Sequence, residues 1–391
     1  MKFIRINQIK KKSLRILYLS DHGPYSNTFI RQDVEIISKS YDTLYLCFEE
    51  HKHYENKIIK TKVVKYPSSS FKSKIRWRLE KKNYLFNWTD KKFARKLKAE
   101  ITNFNPSIIH CQFSYESVKL LQNFKSNNPI ILNFRGYGAS AKLKNKHYIS
   151  WLKSIATKKN IYPIYVCEYL KNNLLYKKIK FTNDGIVLYT GINQDLFKRT
   201  TPKAVKDTKT FIQVGVFNDK KGQEITIKAF AKFILTQKLK KHNLVFIGGG
   251  KNLNKCKKLV KELKLENSVA FKGHLAQLEI VNELNKADIF LHHSLTAANG
   301  DQEGIPNAIL EAMSMEMPIL STYHSGIPEA VVHNENGLLC NENDIETYSK
   351  QMAEICKWGL LPKNRKRIKE KFSIDLHIKK LKSFYDNISI Q

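Results

Sequence analysis

The chain of 391 residues carries 68 lysines and arginines against 35 aspartates and glutamates, a formal net charge of +33 at pH 7, with 42% hydrophobic residues. That apolar share argues for packed cores over disorder, the length suits two domains of about 150–200 residues, and no uncharged apolar run of about 18 residues is present to span a membrane. The positive excess suits a polyanion, with nucleic acid, an anionic membrane surface and diphosphate ligands as candidates, or else it reflects a compositional bias with solvated lysines.

The first twenty residues are lysine-rich, and Leu14 to Leu19 is too short and interrupted for a secretory leader, so it reads as a first strand. Short apolar runs then alternate with helix-length segments, the pattern of parallel sheets covered by helices. The first half predicts strands at 14–20, 43–48, 58–66, 107–112, 130–134, 161–167 and 185–189, and helices at 28–40, 90–103, 114–125, 145–158 and 168–178. Pro24-Tyr-Ser-Asn-Thr-Phe-Ile30 follows the first strand and offers Ser26 or Asn27 as an N-cap. Asn133-Phe-Arg-Gly-Tyr-Gly138 puts Arg135 at a strand's carboxyl end, with Tyr137 close by. That arginine either meets a phosphate or sugar or forms a structural ion pair.

Between them, Phe71 to Lys98 holds eleven basic and two acidic residues interleaved with Trp77, Tyr84, Phe86, Trp88 and Phe93. The mixture suits an anionic leaflet, a single-stranded nucleic acid, or core aromatics under a wet lysine face.

Lys198 to Thr210 is polar, lysine-rich and contains Pro202, so it reads as a linker. The pattern restarts at Phe211-Ile-Gln-Val-Gly215, followed by a helix at 222–236 and Leu244-Val-Phe-Ile-Gly248. A helix at 252–264, strand 268–272, helix 277–286, strand 288–292, loop 293–305, helix 306–315 and strand 318–322 complete the series. The expected fold is α/β, two doubly wound Rossmann-like domains facing across a cleft. The expected boundaries are 1–197, a linker at 198–210, 211–371, and a last helix at 372–391 closing over the first domain. Cysteines 47, 111, 167, 256, 340 and 356 lie far apart, which indicates neither a zinc site nor a disulfide framework and suits a reducing cytoplasm.

Four motifs carry chemistry. Val214-Gly-Val-Phe-Asn-Asp-Lys-Lys-Gly222 sits at a strand-to-helix turn, where Lys221 and the following N–H groups can grip a diphosphate; the bland alternative is a turn with a solvated lysine pair. Asp301-Gln-Glu-Gly-Ile-Pro-Asn-Ala-Ile-Leu-Glu311 sets two carboxylates eight residues apart about a helix start marked by Pro306. The N–H groups near Gly304, Ile305 and Asn307 then make an anion seat, flanked by Glu303 and Glu311 as acceptors for sugar hydroxyls. Ser321 to Glu329 repeats the Gly-Ile-Pro device as a helix cap or a further wall of the site. Gly248-Gly-Gly250 is a tight turn without the full dinucleotide fingerprint, and no Asp-x-Asp occurs to hold a metal on a nucleotide diphosphate. Charge neutralisation therefore falls to lysine, arginine and helix N-termini, with neither metal nor cofactor.

These residues resemble the family-4 retaining glycosyltransferases of GT-B architecture. Glu303 and Glu311 match that family's Glu-x7-Glu signature, Lys221-Gly222 its phosphate lysine, and Gly326-Ile-Pro-Glu329 and Asn336-Gly-Leu338 its later spacings. Thr296 to Pro306 and Ser26 to Ile30 are similar to the bacterial colanic-acid and exopolysaccharide branch. The resemblance implies a donor on the second domain, with Glu303 on sugar hydroxyls, Glu311 on the ribose, and Lys221 with the amides of Gly304 to Asn307 on the diphosphate. It also implies that Gly215 borders the donor and that Lys272 to His274 border the base.

Two places depart from the family. Val216 stands where an arginine is usual, and Phe134-Arg-Gly-Tyr-Gly138 replaces Phe-His-Gly-x-Asp, so Arg135 takes the place of an acceptor-side histidine. The expected activity is metal-independent, retaining transfer from a nucleotide-diphosphate sugar to a glycan hydroxyl, on a lipid-linked acceptor, by a cytoplasmic protein peripheral to the membrane, with no nucleic acid partner. A nucleotide-sugar epimerase and a noncatalytic basic scaffold binding nucleic acid or lipid are the alternatives.

Overall fold

The computed structural model describes residues 14–24, 28–49, 58–65, 91–121, 124–201, 207–236 and 241–389. Ser26, Asn27 and the stretch 66–90, which holds Trp77, Tyr84, Phe86 and Trp88, lie outside the described residues.

Two parallel sheets organise the chain. The first has seven strands in the order β3-β2-β1-β4-β5-β6-β7: β1 (Arg15–Ser20), β2 (Asp42–Cys47), β3 (Thr61–Val63), β4 (Ile108–Cys111), β5 (Ile130–Phe134), β6 (Ile161–Tyr165) and β7 (Ile186–Val187). The second has six in the order β10-β9-β8-β11-β12-β13: β8 (Thr210–Val214), β9 (Asn243–Ile247), β10 (Val269–Phe271), β11 (Ile289–Leu291), β12 (Ile319–Thr322) and β13 (Gly337–Cys340). Counted within its own sheet, the first series runs 3-2-1-4-5-6-7 and the second 3-2-1-4-5-6, the doubly wound order, whose switch points fall at β1/β4 and β8/β11. The central strands read as apolar runs without alternation because both faces are covered. β1 is buried from Ile16 to Ser20, and β4, β5 and β12 are buried throughout.

The chain divides into two compact units, one of Met1–Asn133, Lys158–Tyr162 and Lys382–Gln391, the other of Phe134–Thr157 and Pro163–Leu381. In the second, Phe211, Phe230, Phe233, Phe246, Tyr348 and Met352 form the centre of the core. In the first, a polar chain crosses the apolar core. The Asn133 amide Nδ2, which can only donate, lies 2.6 Å from His110 Nε2. His110 Nδ1 must then carry the proton and donate to the Tyr385 hydroxyl at 2.6 Å, which lies 3.0 Å from that of Tyr18. Tyr385 belongs to the last helix, Ile374–Ser389, whose Leu381, Tyr385 and Ile388 are buried.

The structure departs from the predicted elements chiefly at edges. The runs 58–66 and 185–189 shorten to β3 and β7 at the two margins of their sheet, where a strand is paired on one side only. The helix predicted at 114–125 starts later, at Ser117, and residues 122–123 lie outside the described residues. The series predicted to close at residue 322 continues with β13 and the helix Ile345–Ile355. Asp344 caps that helix by accepting from the Thr347 amide at 2.9 Å, and Ile345, Tyr348, Met352 and Ile355 share one face.

Candidate active site

The carboxyl ends of β8 and β11 meet at the switch point of the second sheet, and the loops that leave them build the site. Lys221 Nζ lies 3.3 Å from Glu303 Oε2, and Lys220 Nζ lies 3.4 Å from Glu303 Oε1 and 2.8 Å from Asp301 Oδ2. Two cations and two carboxylates thus alternate in a place where each side chain is only 15–22% exposed.

The backbone that holds Lys221 is tightly determined. Gly222 has φ +57°, and a Cβ there would come 2.0 Å from the carbonyl oxygen of His293, so only glycine fits. The Lys221 carbonyl accepts from the Gln213 amide at 2.7 Å, and Gln223 donates to the Val216 carbonyl at 3.2 Å. The Lys221 stem passes Gly215 at van der Waals distance, 3.7 Å from where a Cβ would stand. The Gly248–Gly250 turn braces this loop from the other side: side chains at 248 and 250 would collide with the Gly215 and Phe217 carbonyl oxygens. Those glycines are there for close backbone packing. Val216 is 56% exposed.

Glu303 is positioned through its backbone. Its amide donates to His324 Nε2 at 3.2 Å, which leaves His324 Nδ1 to donate to Glu342 Oε1 at 2.6 Å. Glu342 in turn accepts from the Thr296 amide at 2.8 Å, and the Ser325 hydroxyl donates to the Glu303 carbonyl. Burial alone would raise the Glu303 carboxyl, but the Lys221 and Lys220 ammoniums outweigh it and hold the pKa at about 2. Burial would likewise lower Lys220, yet Glu303 and Asp301 raise it. The pair stays charged at neutral pH.

Beneath lies His292, fully buried, with neither ring nitrogen hydrogen-bonded among the described residues. Burial and the neighbouring Lys221 push its pKa well below the usual value, so the ring is neutral. Burial also takes His293 down to about 4, and its Nε2 accepts from the Asn343 amide at 3.0 Å.

The helix expected at 306–315 runs Asn307–Ser314, with Pro306 at the capping position instead of in the first turn (φ −60°, ψ 124°). The extended ψ sets the chain's entry; Ile309 donates to the Pro306 carbonyl at 3.0 Å, while the Asn307 and Ala308 amides have no intrahelical partner. Gly304 and Ile305 are buried, and a Cβ on Gly304 would meet Val166 Cγ2 at 2.7 Å. Glu311 stands one turn into the helix. No hydrogen bond or ion pair to its carboxyl is found among the described residues, and burial, opposed by Lys221, raises its pKa to about 7.

A testable sign follows for Glu311. Its carboxyl is neutral in both folded and unfolded chains below about pH 4.5, and as pH rises from there to 7 the folded state loses stability relative to the unfolded one. Glu311→Gln is therefore expected to leave the melting temperature unchanged at pH 4 and to raise it at pH 8; an equal shift at both values would contradict the assignment.

Of the remaining predicted residues, His274 is exposed on the loop after β10. Arg135 is half-buried, and the turn after it packs onto the same loop as Glu303. A Cβ on Gly136 would lie 2.8 Å from the Gln302 carbonyl oxygen, and the Gln302 amide donates to Ser140 Oγ at 3.1 Å. Tyr137 is 38% exposed, and burial and the charge of Asp301 both raise its hydroxyl. Sequence reasoning missed Lys220, Asp301, His292, His324 and Glu342. A doublet of lysines before Gly222 was the one visible signal.

The second Gly-Ile-Pro segment serves another helix. Glu329 accepts from the Glu168 and Tyr169 amides, each at 2.9 Å, and from the Tyr189 hydroxyl at 2.9 Å, capping the helix Glu168–Tyr176. Glu329→Ala should cost about 1–3 kcal/mol in denaturant unfolding, because three donors lose a charged acceptor.

A wider cavity of about 680 Å³ involves Asn193, Glu316, Arg365 and Asp375, but Arg365 is committed there to the Gln194, Phe197 and Ser314 carbonyls. No group of three or more His, Cys, Asp or Glu side chains placed to hold a metal is found among the described residues. No helix among them is long and apolar enough to cross a membrane.

Two parallel doubly wound sheets give the chain the GT-B fold. Solved structures similar to it include Anabaena HepE in complex with UDP and glucose (TM-score 0.75, 16% identity, 96% of this chain and 100% of that one) and sucrose-phosphate synthase of Thermosynechococcus elongatus (TM-score 0.76, 17% identity, 96% and 99%). Residues 195–372 match the family described as Glycosyl transferases group 1, and the chain carries that domain. Curated relatives include the amylovoran biosynthesis glycosyltransferase AmsK of Erwinia amylovora, 38% identical over 165 residues, covering 42% of this chain and 40% of the relative. The provisionally named colanic acid biosynthesis glycosyltransferase WcaL of Escherichia coli is 35% identical over 162 residues, covering 40% and 38%. The chain spans about two fifths of the length of these relatives.

Proposed function

We propose that the protein is a glycosyltransferase of exopolysaccharide biosynthesis that moves a sugar, with retention of configuration, from a nucleotide-diphosphate sugar to a hydroxyl of a lipid-linked glycan. The observation that carries this reading is the Lys221–Glu303 pair, 3.3 Å apart at the β8/β11 switch point, with Glu311 one turn into the adjoining helix.

The chemistry follows from charge. As the bond between the anomeric carbon and the phosphate oxygen breaks, the diphosphate gathers negative charge, and Lys221 with the N-terminal amides of helix Asn307–Ser314 stabilises it most in the transition state. Glu303, held ionised by two lysines, accepts from sugar hydroxyls, and Glu311 does so from the ribose. The acceptor hydroxyl forms its bond to the anomeric carbon on the departing face and passes its proton to the leaving phosphate oxygen. Arg135, Tyr137, Ser26 and Asn27 belong to the acceptor side, while Gly215 and His274 border the donor. The lysines take the charge-neutralising role that a metal fills elsewhere, so no cofactor enters. The net charge of +33 supports a peripheral place on an anionic membrane surface.

The experiment is a thermal-shift screen against UDP-, GDP- and ADP-sugars. Selective binding to the native state raises the melting temperature by mass action. Stabilisation by one donor class, abolished in Lys221→Ala, is expected; stabilisation by none, or conversion of the donor to an epimer without acceptor, would overturn the reading.

A further inference from the structure

Beside the loop that carries Glu303 lies a groove of about 280 Å³ that the donor chemistry leaves unused. Ser140, Lys144, Asn173, Tyr176, Lys177 and Gln302 line it. Gln302 directly precedes Glu303, so the groove shares its wall with the proposed sugar-binding carboxylate.

Its chemistry is distinctive in three respects. First, its only charged lining residues are lysines. Asp301 is nearby but committed to Lys220 at 2.8 Å, while Lys144 and Lys177 are exposed and make no ion pair among the described residues. Secondly, Tyr176 presents an aromatic ring that is 84% exposed, with Lys177 Nζ 5.6 Å from its centroid. The ring face that the ammonium leaves open, beside amide groups, is a platform for the C–H face of a sugar, and the ammonium over the ring favours a neighbouring anion. Thirdly, the flexible tip of Lys144 lies across the Gly300 turn, where the left-handed φ of +86° calls for glycine and no side chain stands in its way. The Gly300 amide donates to the Ala297 carbonyl at 2.7 Å, which fixes this turn.

The wall is rigid. Gln302 Nε2 donates to the Tyr169 hydroxyl at 3.1 Å and to Thr296 Oγ1 at 3.2 Å, and the Asn173 amide donates to the Ala139 carbonyl at 3.2 Å. The volume lies at the lower limit of small-ligand pockets, about 300 Å³, which suits a sugar unit and not a protein segment.

We propose that this groove is a subsite for an acidic saccharide of the acceptor: a sugar bearing a carboxylate, seated on Tyr176 with its anion between Lys144 and Lys177. The assignment rests on the glycosyltransferase reading and deepens it by naming the acceptor class.

The test uses the full chain and two probes, a glucuronic-acid-containing disaccharide and the neutral glucose disaccharide of the same linkage, titrated calorimetrically at low and at 0.5 M salt. A nucleoside diphosphate is titrated in parallel. The acidic probe is expected to bind about tenfold more tightly than the neutral one, with the difference lost at high salt because exposed charges are screened there. Lys144→Gln with Lys177→Gln should remove the preference and Tyr176→Ala should weaken both probes, while nucleoside diphosphate binding stays unchanged in each variant. Equal affinity for the two probes, or a preference that survives the double lysine variant, overturns the subsite. So does lysine-dependent capture of anionic vesicles without binding of either disaccharide. Intact nucleotide binding with no acidic preference removes this inference alone, whereas loss of nucleotide binding in the unmodified protein removes the glycosyltransferase reading beneath it.

Discussion

Replacing Lys221 by alanine is expected to lower the transfer rate by about 10²–10³-fold, the loss typical when one preorganised group that meets developing charge is deleted. The expectation is specific because the lysine sits where little can substitute for it. Lys220, the adjacent cation, is held by Asp301 at 2.8 Å as well as by Glu303, and Val216 offers no charge. The fold should survive, because Glu303 retains Lys220 as a partner and is not left buried and unpaired. Steady-state rates at saturating donor, with a melting curve of the same sample, check both halves. Unchanged turnover would remove Lys221 from the machinery, and an unfolded variant would show that its role is structural.

Glu303→Gln should produce a different signature. The amide keeps the shape and can still accept a hydrogen bond, but the charge that balances two ammoniums disappears. Transfer is expected to fall about 100-fold, while affinity for the free nucleoside diphosphate does not weaken, because the phosphates no longer compete with a carboxylate for Lys221. Comparing the whole donor with the bare diphosphate in binding measurements separates sugar handling from phosphate handling. Stability also responds. A carboxyl held at about 2 instead of 4.5 contributes on the order of 3 kcal/mol at pH above the unfolded value, and that contribution fades as pH falls from 4.5 to 2. The variant should therefore be less stable than the parent at pH 7 and converge with it in strong acid.

What the sequence disclosed of this site was the part written in short spacing. Lys221 and Gly222 stand where an apolar strand turns into a helix, and Glu303, Pro306 and Glu311 lie within nine residues, so local geometry sufficed to group them. The alternation of strands and helices conveyed the two doubly wound sheets for the same reason. The supporting shell was not legible, because it is assembled across distance along the chain. Glu303 depends on His324 and Glu342, residues 21 and 39 positions away, and nothing in a histidine's neighbours announces which of its nitrogens will accept. Glu329 was legible only as the end of a second Gly-Ile-Pro; that it caps a helix starting 161 residues earlier follows from packing alone. Lys220 was overlooked because one lysine already satisfied the motif.

The buried chain of polar groups running from Asn133 through His110 to Tyr385 and Tyr18 bears on how this protein can be handled in the laboratory. Its third member, Tyr385, sits on the closing helix, so trimming the polypeptide back past residue 385 would strand the His110 imidazole N–H and the Tyr18 phenol in hydrocarbon surroundings. Versions shortened past that residue to aid crystallisation should precipitate or melt early.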